Sequence, residues 1–317
     1  MDGPHILVVR LGALGDLIHT LPAVASLKHS NPFSHITWAV EARWAPLLEG
    51  NPYLDRVLSL DRATSSGWRK AWRELRAQHY EFGVDFQGLL KSAVVAAVAR
   101  PDRIYGFQDP RETAASWFYS TRTLSRSVHV VDRNLDLAAA AGASSLLHSF
   151  PLPPGRPEGK LPPGEFVLAS PLAGWGAKQW PMEHFSTLGE RIERESGMSL
   201  VLNGPREISL PHTRPHVSGL PGLIDATRRA AAVVGVDSGP LHLAAALGKP
   251  GVAIFGPTCP SRNGPYQSNL KVLRAPGAVT SYLRGAQPDP SMLAITPDMV
   301  FEALVRARTC SSVTQIL

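Results

Sequence analysis

The residues of this chain best suited to chemistry stand between an apolar run and a helix. They read Val236-Asp237-Ser238-Gly239-Pro240-Leu241-His242-Leu243-Ala244-Ala245-Ala246-Leu247-Gly248. Residues 232–236 have the pattern of a buried strand, and the Leu-Ala-Ala-Ala-Leu run is a helix that Gly248 stops. Gly239 permits a tight turn, and Pro240 suits the first helical position, where its missing N–H is not needed. Such a strand, turn and helix open the helix N-terminus at the carboxyl end of the strand. There the N–H groups of Ser238, Gly239 and Leu241, with the positive end of the helix dipole, suit an anion such as a phosphate. His242, one turn in, adds a further donor. The same residues also suit an ordinary helix start in which Asp237 and Ser238 only cap, and this stretch alone leaves both readings open.

A second chemical group lies near the N-terminus. His5-Ile-Leu-Val-Val-Arg10 is a short run of buried-strand type, Leu11–Gly15 is a glycine turn, and Asp16 begins a helix carrying Leu17, Ile18, Leu21, Val24 and Leu27. Asp16 is either that helix's N-cap or a carboxylate set where ligands meet a parallel sheet. The glycine spacing is not G-x-G-x-x-G, so the usual dinucleotide fingerprint is absent.

The elements that must position these groups alternate. Residues 36–40, 56–60, 82–86 and 103–107 read as strands. Residues 43–48, 68–76, 89–99, 111–119 and 132–141 read as helical. Strands separated by helices imply a parallel sheet covered on both faces. Residues 151–164, Pro-Leu-Pro-Pro-Gly-Arg-Pro-Glu-Gly-Lys-Leu-Pro-Pro-Gly, hold neither helix nor interior strand and read as an extended linker. The alternation then restarts: strands at 166–170, 200–203, 232–236 and 251–255, helices at 182–195 and 221–231, and a closing helix at 297–308. The expected organisation is an α/β domain over 1–150, a linker over 151–164, a second α/β domain over 165–296, and a helix and tail over 297–317. Two such domains are expected to face a central cleft, a preferred ligand site.

Composition bounds the partners. The 317 residues carry 32 Lys and Arg against 26 Asp and Glu, a net +6, which suits an acidic partner without choosing among nucleic acid, membrane surface and phosphorylated substrate. Hydrophobic residues at 44% exclude a disordered chain. No apolar run is long enough to span a bilayer, and the opening Met-Asp-Gly-Pro-His has no basic n-region of a signal peptide. Cys259 and Cys310 match no metal-ligand spacing or disulfide framework, consistent with a reducing cytoplasm. No nucleic-acid motif is present, so a nucleic-acid partner is not expected. The 68–76 segment, Trp-Arg-Lys-Ala-Trp-Arg-Glu-Leu-Arg, reads as a solvated basic helix face with tryptophans in the core, or as an anion-binding or membrane-contacting surface.

Six stretches together resemble the glycosyltransferases that include the lipopolysaccharide heptosyltransferases, glycosyltransferase family 9. They are Val9-Arg-Leu-Gly-Ala-Leu-Gly-Asp16 with Thr20-Leu-Pro22, Asp85-Phe-Gln-Gly-Leu-Leu-Lys-Ser92, Arg111-Glu-Thr-Ala-Ala-Ser-Trp-Phe-Tyr119, Lys178-Gln-Trp-Pro181, Asp237-Ser-Gly-Pro-Leu-His242 and Phe255-Gly-Pro-Thr258. They occur in family order over nearly the whole chain, and Trp68-Arg-Lys-Ala-Trp72 is most similar to the heptosyltransferase I branch. The resemblance implies a GT-B fold of two Rossmann-like domains, acceptor on the first and nucleotide sugar on the second. It implies inverting transfer of heptose from ADP-heptose to the Kdo of Kdo-lipid A, with no cofactor and no obligatory metal, in the cytoplasm or peripherally on the inner membrane. It makes Asp16 the catalytic base and Lys178 the cation at the leaving diphosphate. Gly15, Glu207, Asp237, Ser238, Gly239, Leu241 and His242 fall on the donor side, and Arg69, Lys70 and Arg111 on the acceptor side. The chain departs from the family pattern at Ala173-Gly174-Trp175-Gly176-Ala177, where heptosyltransferase I has hydroxyl residues, at Cys259 in place of a common aspartate, and at Gln267. Alternatives are another donor or acceptor within the family, or a nucleotide-sugar epimerase or hydrolase on a related fold.

Overall fold

The computed structural model describes residues 3–61 and 64–314, with side chains through Thr309; the side chain of Cys310 and the first two residues lie outside the described residues. The chain divides into two compact units, Met1–Pro153 and Pro154–Leu317.

The first unit is built on six parallel strands: β1 (His5–Val9), β2 (His35–Glu41), β3 (Arg56–Leu60), β4 (Phe82–Asp85), β5 (Arg103–Phe107) and β6 (Thr121–Thr123). Their order across the sheet is β3-β2-β1-β4-β5-β6. The second unit has β7 (Phe166–Ser170), β8 (Ser199–Gly204), β9 (Thr213–Val217), β10 (Ala232–Val236), β11 (Gly251–Phe255) and β12 (Leu270–Arg274), ordered β12-β11-β10-β7-β8-β9. Counted from its own first strand, the second sheet repeats the first sheet's order. That order, 3-2-1-4-5-6, is the doubly wound Rossmann arrangement, which places ligands where the winding reverses. The reversal falls between β1 and β4 in one unit and between β7 and β10 in the other.

The central strands are apolar throughout because both their faces are covered. β7, β10 and β11 are buried at every residue, as is β1 after His5. Helix Met182–Ser196 buries Phe185, Leu188 and Ile192 against these strands, and the closing helix Pro297–Thr314 adds Val300, Phe301 and Leu304. Helix Gly239–Ala246 ends in a left-handed glycine: the Gly248 N–H donates to Ala245 O and that of Lys249 to Ala244 O, a Schellman closure.

Several boundaries differ from the sequence expectation. The single helix after Asp16 is two, Leu14–Ile18 and Leu21–Ser30, with Pro22 in the first turn of the second. Residues 111–119 form only a short 3₁₀ helix, Thr113–Phe118. The 151–164 segment is extended, but part of it is fixed to the second unit. The Arg156 N–H donates to Pro221 O, the Gly219 N–H to the Glu158 carboxylate, and Glu158 O meets His216 Nε2 at 2.7 Å. Polar atoms of a proline-rich strip find partners on a neighbouring strand and helix when their own chain supplies none.

Candidate functional site

At the reversal point of the first sheet, the turn after β1 carries Asp16 and the turn after β4 carries a motif knotted around Asp85. Asp85 is fully buried. It accepts from the N–H groups of Gln87 and Gly88, from Ser92 Oγ at 2.8 Å and from Tyr119 OH at 2.7 Å. Burial raises its pKa, against the pull of these donors, and burial, helped by the adjacent carboxylate, raises that of Tyr119. Gln87 Oε1 accepts the Leu11 N–H at 2.7 Å, which ties the two turns together. Gly88, at φ +66°, gives the backbone the close approach that Pro110 and Arg111 need.

Asp16 is not a helix cap. The N-cap position belongs to Ala13, and Asp16 lies inside the first turn. Its carboxylate faces two guanidinium groups instead. Arg10 Nη2 stands 2.8 Å from Oδ1, and Arg111 makes a fork with Nη2 3.2 Å from Oδ1 and Nη1 3.3 Å from Oδ2. Burial alone would raise the Asp16 pKa; the charges of Arg10 and Arg111, with a lesser contribution from His19, outweigh it and hold the carboxylate ionised well below the usual range. Arg10 is buried and fixed by donating to Phe86 O, whereas Arg111 is half exposed. Sequence reasoning missed Arg10. Its signal is an arginine ending an otherwise apolar strand, a place where a charge needs a partner. Gly15 sits one residue before Asp16 in the same short helix, half-buried.

Arg69 and Lys70 lie elsewhere, on helix Ser65–Leu75; among the described residues the ion pairs of Asp16 run to Arg10 and Arg111. Of the readings open for this helix, the one that puts Trp68 and Trp72 in the core does not hold. Both are exposed, and Ala71 and Leu75 carry the buried face. With Ser66, Arg69 and Arg73 they line an open hollow of about 800 Å³, while Lys70 turns to Glu74 at 3.8 Å.

At the reversal point of the second sheet, the turn after β7 carries Lys178 and the end of β10 carries Asp237. Lys178 Nζ is 3.0 Å from Asp237 Oδ2, and His242 Nε2 is 3.5 Å from Oδ1. Burial would raise the Asp237 pKa, but His242 and Lys178 prevail and depress it. A depressed carboxylate contributes stability that is complete above its ordinary pKa near 3.8 and is lost as the pH falls below that value. Thermal scans from pH 7 to pH 3 are therefore expected to show a Tm that falls more steeply below about pH 4 in wild type than in Asp237→Asn.

Ser238 occupies the N-cap of helix Gly239–Ala246, yet its hydroxyl makes no cap bond and is buried without a partner among the described residues. Pro240 is the second helical residue, not the first. One expected anion donor is also corrected: the Leu241 N–H is taken by Ser238 O at 3.1 Å, because the helix begins with a tight 3₁₀-like turn. Among the described residues the open donors at this N-terminus are the amides of Ser238 and Gly239 and the Ser238 hydroxyl. Thr258, after β11, holds a second buried hydroxyl with no partner among the described residues. Glu207 is exposed on the loop that follows β8, the strand whose end in such sheets carries a ribose-binding carboxylate. All these groups share the carboxyl ends of one parallel sheet, facing a place where a phosphorylated ligand can be seated.

The family model for glycosyltransferase family 9 (heptosyltransferase) matches residues 68–282. The chain belongs to glycosyltransferase family 9. Its relatives in this family include lipopolysaccharide heptosyltransferase 1 of Escherichia coli K12, 30% identical over 86% of this chain and 94% of the relative. Lipopolysaccharide heptosyltransferase 1 of Pseudomonas aeruginosa is 30% identical over 83% of this chain and 81% of its own. Among solved structures, E. coli heptosyltransferase WaaC with ADP shares the fold with a TM-score of 0.76 at 24% identity, covering 96% of this chain and 99% of that one. A family 9 glycosyltransferase from Veillonella parvula gives a TM-score of 0.79 at 21% identity, over 96% and 97% of the two chains. The fold of this family 9 enzyme is thus GT-B, two Rossmann-like units, and its activity is that of a glycosyltransferase. Among the described residues no helix is long and apolar enough to cross a membrane.

Proposed function

We propose that this enzyme transfers heptose from ADP-heptose to the Kdo of the lipopolysaccharide inner core, with inversion. The observation that carries the reading is that each sheet holds, at its reversal point, the charged cluster that one half of the reaction needs. An ionised carboxylate at Asp16 takes the proton of the acceptor hydroxyl as that oxygen bonds to the anomeric carbon. The bond from the anomeric carbon to the phosphate oxygen breaks, and its electron pair leaves with ADP. Lys178 and the amides of Ser238 and Gly239 meet the charge that develops there. Asp237 and His242 hold Lys178 and the turn in place, and Glu207 takes the ribose hydroxyls. In this reading no metal ion is required, because fixed donors and a cation do its work.

The acceptor is an anionic lipid. Arg111, half exposed, and Arg69 and Lys70, on the basic helix, suit its carboxylates and phosphates. The exposed Trp68 and Trp72 beside those charges suit peripheral contact with an anionic membrane surface.

The test is a transfer assay with ADP-heptose and deacylated Kdo-lipid A, followed by mass spectrometry. The expected product gains one heptose. If a control heptosyltransferase makes product and this enzyme makes none, the donor or acceptor is wrong. The second reading, another sugar or acceptor within the family, then stands, and the hydroxyl-free 173–177 loop is the feature that favours it.

A further inference from the structure

We propose that Arg284 is a second cation for the donor's diphosphate, placed there by the ring of Trp175, which it shares with Lys178. The proposal rests on the reading that this unit binds a nucleoside diphosphate.

Three observations lead to it. The charge of Lys178 is already largely met, since its Nζ lies 3.0 Å from the buried Asp237 carboxylate. A leaving diphosphate carries more negative charge than one lysine shared with an aspartate can offset. The 173–177 loop, Ala-Gly-Trp-Gly-Ala, has no hydroxyl to help. What that loop does carry is Trp175, and two cations lie against it. Lys178 Nζ is 5.1 Å from the ring centre, and the Arg284 guanidinium carbon is 5.8 Å from the same centre.

The placement of Arg284 is built in. The Ala177 N–H donates to Gly285 O at 3.0 Å, and the Asp289 N–H donates to Ala177 O at 3.2 Å, so the 283–289 loop is bolted to the turn Gly176–Lys178. Gly176 is required at that joint, because a Cβ there would stand 1.8 Å from Ala286 O. Arg284 is exposed, and among the described residues no carboxylate pairs with it. A guanidinium held near the Lys178 turn with its charge unspent, where Lys178 in turn reaches Asp237 next to Ser238, is placed for phosphate oxygens. Trp175 is then a positioning residue, acting through the two cations.

Calorimetric titration with ADP and with adenosine tests this. Arg284→Gln is expected to weaken ADP binding about tenfold, the scale of one lost charge-assisted contact, and to leave adenosine binding unchanged. It should also flatten the dependence of ADP affinity on salt. Trp175→Leu should weaken ADP binding in the same sense, and Trp175→Phe, which keeps an aromatic face, should restore most of it. Arg284 is exposed, so its variant is expected to keep the wild-type Tm. If Arg284→Gln binds ADP as wild type does, the proposal is overturned. If wild type ignores ADP but binds UDP or GDP, the donor base is wrong, and the Arg284 effect is read with that diphosphate. A wild type that binds no nucleoside diphosphate ends both readings.

Discussion

Transfer by Asp16→Ala is expected to fall about 10²- to 10⁴-fold below wild type at saturating substrates, the usual contribution of a positioned general base. The environment of Asp16 explains both why it serves and why the alanine variant alone is ambiguous. Arg10 and Arg111 keep the carboxylate ionised, and so ready to accept a proton, but they also weaken it as a base. A weak base suffices when the sugar passes through an oxocarbenium-like state, because the acceptor hydroxyl becomes acidic as its oxygen bonds to carbon. Alanine, however, also strands Arg10. A buried guanidinium that loses its counter-charge costs about 3–5 kcal/mol in other proteins, so the variant should be less stable as well as slow. Asp16→Asn separates the two effects. It keeps a side-chain oxygen for Arg10 and removes the basicity, so it should lose as much rate as alanine with a smaller drop in Tm. A folded Asp16→Asn enzyme that turns over at the wild-type rate would remove Asp16 from the chemistry.

The second large effect is expected at Lys178. Replacing it with alanine should lower kcat about 10²- to 10³-fold, the scale reported when one preorganised donor to developing charge is lost. Asp237 would keep His242 as a partner, so the fold should tolerate the change better than it tolerates Asp16→Ala. Steady-state kinetics with ADP-heptose beside ADP titration decides what Lys178 does. A fall in kcat with weaker ADP binding marks it as the leaving-group cation. Unchanged values of both would leave it as nothing more than the counter-charge of Asp237.

Much of this was legible in the amino-acid sequence, for a physical reason. The central strands are buried on both faces, so apolar runs such as residues 6–9, 232–236 and 251–255 announce them. The strands that escaped reading are β6, β9 and β12, which lie at sheet edges or bear polar and proline residues. Thr121–Thr123 is Thr-Arg-Thr, and Thr213–Val217 carries Pro215, which only an edge tolerates. At the site, Asp16, Lys178 and Asp237 were visible as motif residues. The pairings were not: Asp16 meets Arg10 within the turn after β1, but Arg111 comes from the loop after β5, two strands away in the sheet and far along the chain. The Leu241 amide was misjudged because a helix start can turn its third N–H inward, which residue types alone do not reveal. The place of the tryptophans of helix Ser65–Leu75 stayed open because large aromatics are usual inside, while here Ala71 and Leu75 fill that face.

Neither sheet borrows a strand from the other half of the chain. Among the described residues each half therefore supplies every strand of its own sheet, and the order of synthesis does not conflict with the order of assembly. By the time the ribosome has passed Pro153, the first sheet and the helices that cover it have all been made. The N-terminal half can fold while the C-terminal half is still being translated, so the nascent chain need not hold long parallel strands unpaired as it waits for distant sequence.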